Sequence, residues 1–458
     1  MKRLSAILLI LTSLAFNILS VNAASTDTVE WPKGPKVKAK SAIVMEASTG
    51  LILYEKNIHD KNYPASTTKL MTTLLALENT SMNDVVTFSK DSVFNIERGS
   101  SHIGIDVGEK LTMENCLYGI MLASANEVSY AVAEHIGGDI ANFSEIMNNR
   151  AKELGATNTH FINPHGLFDE NHYTSAYDLA LISRELLKYD SFREITSTIN
   201  YVVPPTNLQK QSRPINNHHK MIRNTSYHYD GIIGGKTGYT VKARYNLATF
   251  ASRDNMDLIC IIMNEGNGQD QYNDTKKLLD FGFSNYTSHN ILEKNEEQST
   301  DGLLLFSQFN SLFDKSTSPL KISNEGIVIL PNSVDLSKTA RTVNYNKDIA
   351  IKDGTNIIGN VTYQYDGKTV GYADILYTKE ETTKLTKTSV IVDNGITIKD
   401  HLEKNQKIYI IGAIILIFFI VGVVHYILVE RPRKKRRKCY YAKRKRTRDT
   451  FDHDLTDI

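Results

Sequence analysis

The chain has 458 residues, 41% of them hydrophobic, with 53 Lys and Arg against 51 Asp and Glu, enough for two or three domains with real cores. Twelve of the bases but only four acids fall within residues 431–458. With those, the two bases of the N-terminus and Glu430 set aside, the remainder carries a net charge of about −7, which excludes the basic footprint of a nucleic-acid binder.

In chain order, Lys2 and Arg3 precede the apolar run LSAILLILTSLAF, and Val21-Asn22-Ala23 closes it with small residues at the first and third positions. This is the pattern of a secretory signal peptide over residues 1–23. The stretch SAIVMEASTGLILYEKN predicts two strands joined by a turn at Ala47–Gly50. From Ser66 to about Tyr189 the periodicity is helical, as in TMENCLYGIMLASANEVSYAVAEHIGG and SAYDLALISRELLKY. In the latter, Asp178 near the start and Lys188 at the close suit the helix macrodipole. Strands return after a Pro- and Asn-rich passage, and YNLATFASR and MDLICIIM flank a hairpin turn at Asp254–Asn255. The arrangement strand–helices–strand predicts an α+β domain over residues 30–285, with an antiparallel sheet gathering both of its ends.

The polar stretch TSHNILEKNEEQSTD marks the boundary. Residues 300–388 then read as a small all-β domain, with GNVTYQYDGKTVGYADILYT alternating about a turn at Asp366–Gly367. A stalk (389–407) leads to Ile408–Val429, which has no fixed charge and the length to cross a bilayer. The basic block of residues 430–458 follows it as a cytoplasmic flank. The layout predicts a single-pass cell-membrane protein with its catalytic domain outside. Cys116 and Cys260, the two cysteines of the outer portion, lie in apolar runs, and their spacing leaves open whether they pair.

Three short motifs carry chemistry. Ser66-Thr-Thr-Lys69 places a hydroxyl and an amine one helical turn apart, just after Pro64 and before the apolar LMTTLLALE. Taken alone it also fits a helix-capping serine followed by a surface lysine, and Ser318-Pro-Leu-Lys321 repeats the spacing without a helix after it. Ser124-Ala125-Asn126 interrupts a helical pattern between apolar runs, where polar side chains would be buried and must find partners. Ser81-Met-Asn83 and Ser288-His-Asn290 share the spacing but not that setting. Lys236-Thr237-Gly238 occurs once, before a strand. His160, His165 and His172 cluster without zinc-ligand spacing, and His218–His219 adds none. No cofactor motif is present, so none is expected.

Together and in this order the motifs form the serine–lysine arrangement of penicillin-recognising enzymes. The chain resembles the serine-type D-alanyl-D-alanine carboxypeptidases, the low-molecular-mass penicillin-binding proteins. PASTTKLMT, GSSHIGIDVGEKLTMENCLYGIMLASANE, FINPHGL and GGKTGYT all look like family segments. The resemblance implies a penicillin-binding/β-lactamase-like transpeptidase domain, an antiparallel sheet plus a helical lobe. It implies Ser66 as nucleophile, Lys69 as base, Ser124 as proton relay, and Asn126, Lys236, Thr237, Gly238 and Tyr239 as substrate contacts. The implied substrate is the peptidoglycan stem pentapeptide, with β-lactams as covalent inhibitors. Two positions depart from the family's usual residues: Glu127 stands where Asp is usual, and Arg244 where Gly is usual. Competing readings are a D,D-endopeptidase, a non-catalytic penicillin-binding sensor and a serine β-lactamase. Class A β-lactamases carry a deacylating glutamate in Glu-x-x-Leu-Asn, a string this chain lacks.

Overall fold

The computed structural model describes residues 31–291, 320–323, 326–346 and 349–379. The expected signal peptide (1–23), stalk (389–407), membrane span (408–429) and basic tail (430–458) lie outside the described residues, as do residues 300–319 and 380–388 of the expected small β domain. Among the described residues no helix is long and apolar enough to cross a membrane.

Strands β1 (Ser41–Glu46), β2 (Ile52–Lys56), β7 (Ile232–Thr240), β8 (Arg244–Arg253) and β9 (Met256–Glu265) form an antiparallel sheet in the order β2-β1-β9-β8-β7. Successive side chains of a strand point to opposite faces. In β1 and β9 both sets are apolar, so these strands read as continuous hydrophobic runs. Ile43, Met45, Ile259, Ile261 and Met263 enter one core with the helical lobe. Ala42, Val44, Leu258, Cys260 and Ile262 enter a second core on the opposite face. The β8–β9 turn has Asp254 and Asn255 at φ 50° and 57°, the left-handed pair that matches strand twist in a two-residue hairpin.

The helical lobe contains α1 (Lys69–Asn79), α2 (Lys90–Phe94), α3 (Met113–Leu122), α4 (Asn126–Gly137), α5 (Ile140–Glu153), α6 (Ala176–Leu186) and α7 (Asp190–Ser197), with short ribbons β3–β4 (Val85–Thr87, Lys110–Thr112) and β5–β6 (Asn200–Val203, Arg213–Asn216) at its margin. Helix α1 is buried without a break from Lys69 to Ala76, the mark of a helix enclosed on every side. Helix α8 (Asp270–Asn285) covers the other face of the sheet.

Asp178 does more than complement the dipole of α6. It is buried, and its carboxylate accepts from Asn158 N at 2.7 Å and Thr159 Oγ1 at 2.7 Å. Lys188 lies beyond the end of that helix, and Arg184 is the base in its last turn.

The polar stretch after α8 begins as a strand, β10 (Tyr286–Asn290), which pairs with β12 (Ile327–Pro331). With β11 (Leu320–Ile322), β13 (Ala340–Tyr345), β14 (Gly354–Tyr365) and β15 (Lys368–Lys379) it makes a six-stranded antiparallel sheet. The β14–β15 turn has Asp366 and Gly367 at φ 49° and 71°, as the Asp-Gly pair requires. Tyr286, Val328, Leu330, Val361 and Ile375 share the second core with α8 and the first sheet.

Candidate active site

Ser66 sits on a single 3-10 turn, Ala65–Thr68, that runs directly into α1. Its hydroxyl does not cap that helix; Lys69 Nζ donates to Ser66 Oγ at 3.2 Å. Pro64 enters the turn, and Ala65 takes φ 49°, an uncommon conformation for a residue with a Cβ. The turn is tied on two sides. Asn246 Nδ2 donates to the carbonyls of Tyr63 (2.8 Å) and Pro64 (2.9 Å), and its Oδ1 accepts from Asn264 N at 2.8 Å. On the other side Thr68 Oγ1 meets His172 Nε2 at 2.8 Å, while His172 Nδ1 accepts from Ile162 N at 3.0 Å. That acceptor role leaves the proton on Nε2. Burial agrees, holding the imidazole neutral with its pKa pushed down to about 3.

The break between α3 and α4 presents the second motif. Ser124 has φ 60°, and this left-handed residue turns the chain so that Asn126 opens α4. Asn126 Oδ1 accepts from Lys69 Nζ at 2.6 Å, and the His165 carbonyl accepts from the same ammonium at 2.8 Å. Glu127, one residue on, is buried; its Oε1 accepts from Ile103 N at 2.6 Å and its Oε2 has no hydrogen-bond partner. The longer acid thereby pins the loop carrying Ser100 and Ser101 against the start of α4.

The third motif lies on β7, the edge strand of the first sheet. Lys236 Nζ donates to Ser124 Oγ at 3.0 Å and to the Thr237 carbonyl at 3.0 Å. Gly238 lies flat against the serine turn. A Cβ there would stand 2.9 Å from the Pro64 oxygen and 3.1 Å from the Ser66 nitrogen. The absence of a side chain is what lets strand and turn approach. Tyr239 follows with its ring exposed, 4.5 Å from that of Tyr245. Arg244 occupies φ 57°, a conformation glycine adopts freely, and its guanidinium lies against Gly266.

All eight residues singled out in the sequence therefore converge. Ser66, Ser124, Asn126, Thr237, Gly238 and Tyr239 line one cleft of about 700 Å³, and the two lysines lie beneath its floor, at most 1% exposed. Burial disfavours the charged form of both amines. Burial, then the neighbouring Lys236, drive the Lys69 amine well below the ordinary lysine range, with Glu127 opposing. Burial alone lowers Lys236 from 10.5 to about 7. Sequence reasoning missed Asn246, His172 and the His165 carbonyl, which hold the Ser66 turn and Lys69. A buried Asn inside an apolar strand was the one available signal. No group of three or more metal-ligating side chains occurs among the described residues.

A serine hydrogen-bonded to a buried lysine, a second serine–lysine pair and a glycine-bearing edge strand make the arrangement of the penicillin-recognising class of acyl transferases. Residues 27–267 match the family model of the S11 peptidases, the D-alanyl-D-alanine carboxypeptidases. The chain is 39% identical to the Bacillus subtilis D-alanyl-D-alanine carboxypeptidase DacF over 264 residues, 57% of this chain and 66% of that one. It is 29% identical to the Haemophilus influenzae DacA over 388 residues, 82% and 93% of the two chains. Penicillin-binding protein 5 of H. influenzae superposes with a TM-score of 0.57 at 26% identity, over 76% of this chain and 99% of that one. The Streptomyces K15 DD-transpeptidase superposes at 0.51 with 28% identity, over 55% and 100%. The chain belongs to the D-alanyl-D-alanine carboxypeptidase family of serine peptidases.

Proposed function

We propose that Ser66 removes the terminal D-alanine from peptidoglycan stem pentapeptides through an acyl-enzyme. The observation that carries this is the hydrogen bond from the buried Lys69 amine to Ser66 Oγ. A free serine hydroxyl is a weak nucleophile until a base takes its proton, and an amine held below the ordinary lysine range can serve. In this reading Ser66 Oγ attacks the carbonyl of the penultimate D-alanine and its proton passes to Lys69. The backbone N–H groups of Ser66 and Tyr239 hold the developing oxyanion. Ser124, its hydroxyl held by Lys236, relays that proton from Lys69 to the departing D-alanine nitrogen as the C–N bond breaks, which leaves Lys69 neutral again. Water, deprotonated by Lys69, then cleaves the acyl ester. Asn126 holds Lys69 and the substrate amide together. Thr237, with Lys236 behind it, receives the terminal carboxylate, and the substrate backbone extends along the free edge of β7.

β-Lactams present the same carbonyl and carboxylate and acylate Ser66 as inhibitors. The signal-peptide pattern, the uncharged run at Ile408–Val429 and the basic block after it support placing the site outside a cell membrane to which the chain is anchored. The test is D-alanine release from muramyl pentapeptide together with labelling by a fluorescent penicillin. The protein should do both and Ser66→Ala neither. A label that persists in Ser66→Ala removes Ser66 from its role.

A further inference from the structure

The cleft continues past the serine turn into a wall that the mechanism above does not use. Tyr239 and Tyr245 are cross-strand partners near the β7–β8 turn, and Gly238 and Asn246 are the pair before them. Successive residues of a strand point to opposite faces. Gly238 and Asn246 meet the Ser66 turn, so the two tyrosines stand on the other side of the edge, their rings 4.5 Å apart. The turn before α8 leans on this pair, since a Cβ at Gly268 would stand 3.0 Å from the Tyr245 ring.

Three amide side chains come from the same turn. Asn267 Oδ1 accepts from Gln269 N at 2.8 Å, and Gln271 Nε2 donates to the Gly268 carbonyl at 3.0 Å. The second bond fixes the Gln271 amide and leaves Oε1 as its free acceptor. Gln271 is 6% exposed, and Oε1 has no hydrogen-bond partner among the described residues. A buried acceptor without a donor is costly, and such groups have a reason. Both tyrosines and all three amides line the cleft that holds Ser66, and no Asp or Glu lines it among the described residues.

Position and chemistry then select a ligand. With the terminal carboxylate at Thr237 and the scissile carbonyl at the Tyr239 N–H, the part of the substrate before the scissile bond runs on past Tyr239. Tyrosine rings take a flat C–H face, and amides take a group that both donates and accepts. A pyranose bearing hydroxyls and an acetamido group answers both demands, and the stem peptide is joined to such a sugar. We propose that Tyr239, Tyr245 and Gln271 form a subsite for the N-acetylated amino sugar that carries the stem peptide. This deepens the function proposed above and rests on it. Binding energy from so remote a group is felt in kcat/KM.

The test compares D-alanine release by the full protein from N-acetylmuramyl pentapeptide and from the same pentapeptide with a plain N-acetyl group in place of the sugar. The sugar should raise kcat/KM about tenfold, the scale of one ring contact and one hydrogen bond. Tyr245→Leu and Gln271→Met should each cut that ratio about threefold or more. A ratio between two substrates cancels general damage to either variant. Equal kcat/KM on the two substrates, or a ratio that neither variant moves, overturns the proposal. A second readout needs no turnover: saturation-transfer NMR with N-acetylmuramyl-L-alanyl-D-isoglutamine, which lacks the scissile bond. Saturation should reach the pyranose C–H protons and weaken in Tyr245→Leu, and no transfer to the sugar overturns the subsite. Transfer combined with equal release from both pentapeptides would put a neighbouring glycan strand there and overturns the assignment to the scissile stem. A protein that releases no D-alanine from either pentapeptide refutes the carboxypeptidase reading, and the NMR signal still decides the subsite.

Discussion

Lys69 and Lys236 show how a short motif becomes a site. Their spacing from Ser66 and Gly238 was readable in the sequence; what buries them was not, because the covering residues come from α4, the Asn163–Gly166 loop and β7. Burial supplies the chemistry, since an exposed lysine stays protonated at neutral pH. Lys69→Arg keeps the charge and reach but cannot shed its proton, so penicillin acylation at neutral pH should fall about 10²–10⁴-fold. Rapid labelling of that variant, measured by stopped-flow fluorescence, would falsify the general-base assignment.

Lys236 also links pH to stability. Its folded value of about 7 lies below the 10.5 of the open chain, so between those limits the unfolded state binds more protons and stability rises with pH. Below about 7 both states are protonated and the full burial penalty persists. Lys236→Met should therefore gain most in Tm, relative to wild type, near neutral pH, with the gain shrinking toward 10.5. Thermal melts of both proteins across that range measure it, and a pH-independent difference contradicts it.

At the scale of elements, the polar trio at 124–126 was legible because a helical pattern cannot carry buried Ser and Asn without a reason. The reason is a left-handed Ser124 between two helices. The ribbons β3–β4 and β5–β6 were not legible: three- and four-residue strands with exposed positions give no alternation to follow. The loop that backs the Ser66 turn resembles a family segment in the sequence, yet its physical role appears only in contact. Gly166 has φ 85° and lies so close to the serine turn that a Cβ would collide with the Ala65 carbonyl. Thr72 Oγ1 donates to the Pro164 oxygen of the same loop at 2.6 Å. Gly166→Ala must move either the turn or the loop. It should lower penicillin acylation by about tenfold or more and stability by about 1–3 kcal/mol, read from labelling rates and urea melts. Wild-type acylation in that variant would show that the loop bears no weight on Ser66.

Across the whole molecule, the alternation of β1, β8 and β9 between two cores decides what the second sheet means. Composition marked residues 300–388 as a separate β region, because local patterning cannot report that Val328, Leu330 and Tyr286 pack into the core beneath α8. A chain ending at Asn285 would expose that apolar face. It should melt about 5 °C or more below the longer protein, and an unchanged Tm would make the sheet an independent appendage.

The same two-core division separates Cys116 from Cys260: each is fully buried, one on either face of the central sheet, and both are free thiols. Burial raises both above the ordinary thiol range, so neither offers a thiolate to an oxidant or a labelling dye while its core stays shut. Maleimide uptake then becomes a two-channel clock, with one cysteine timing the opening of the helical lobe and the other the opening beneath α8. Mass spectrometry of the tagged peptides would tell which half of the enzyme breathes first.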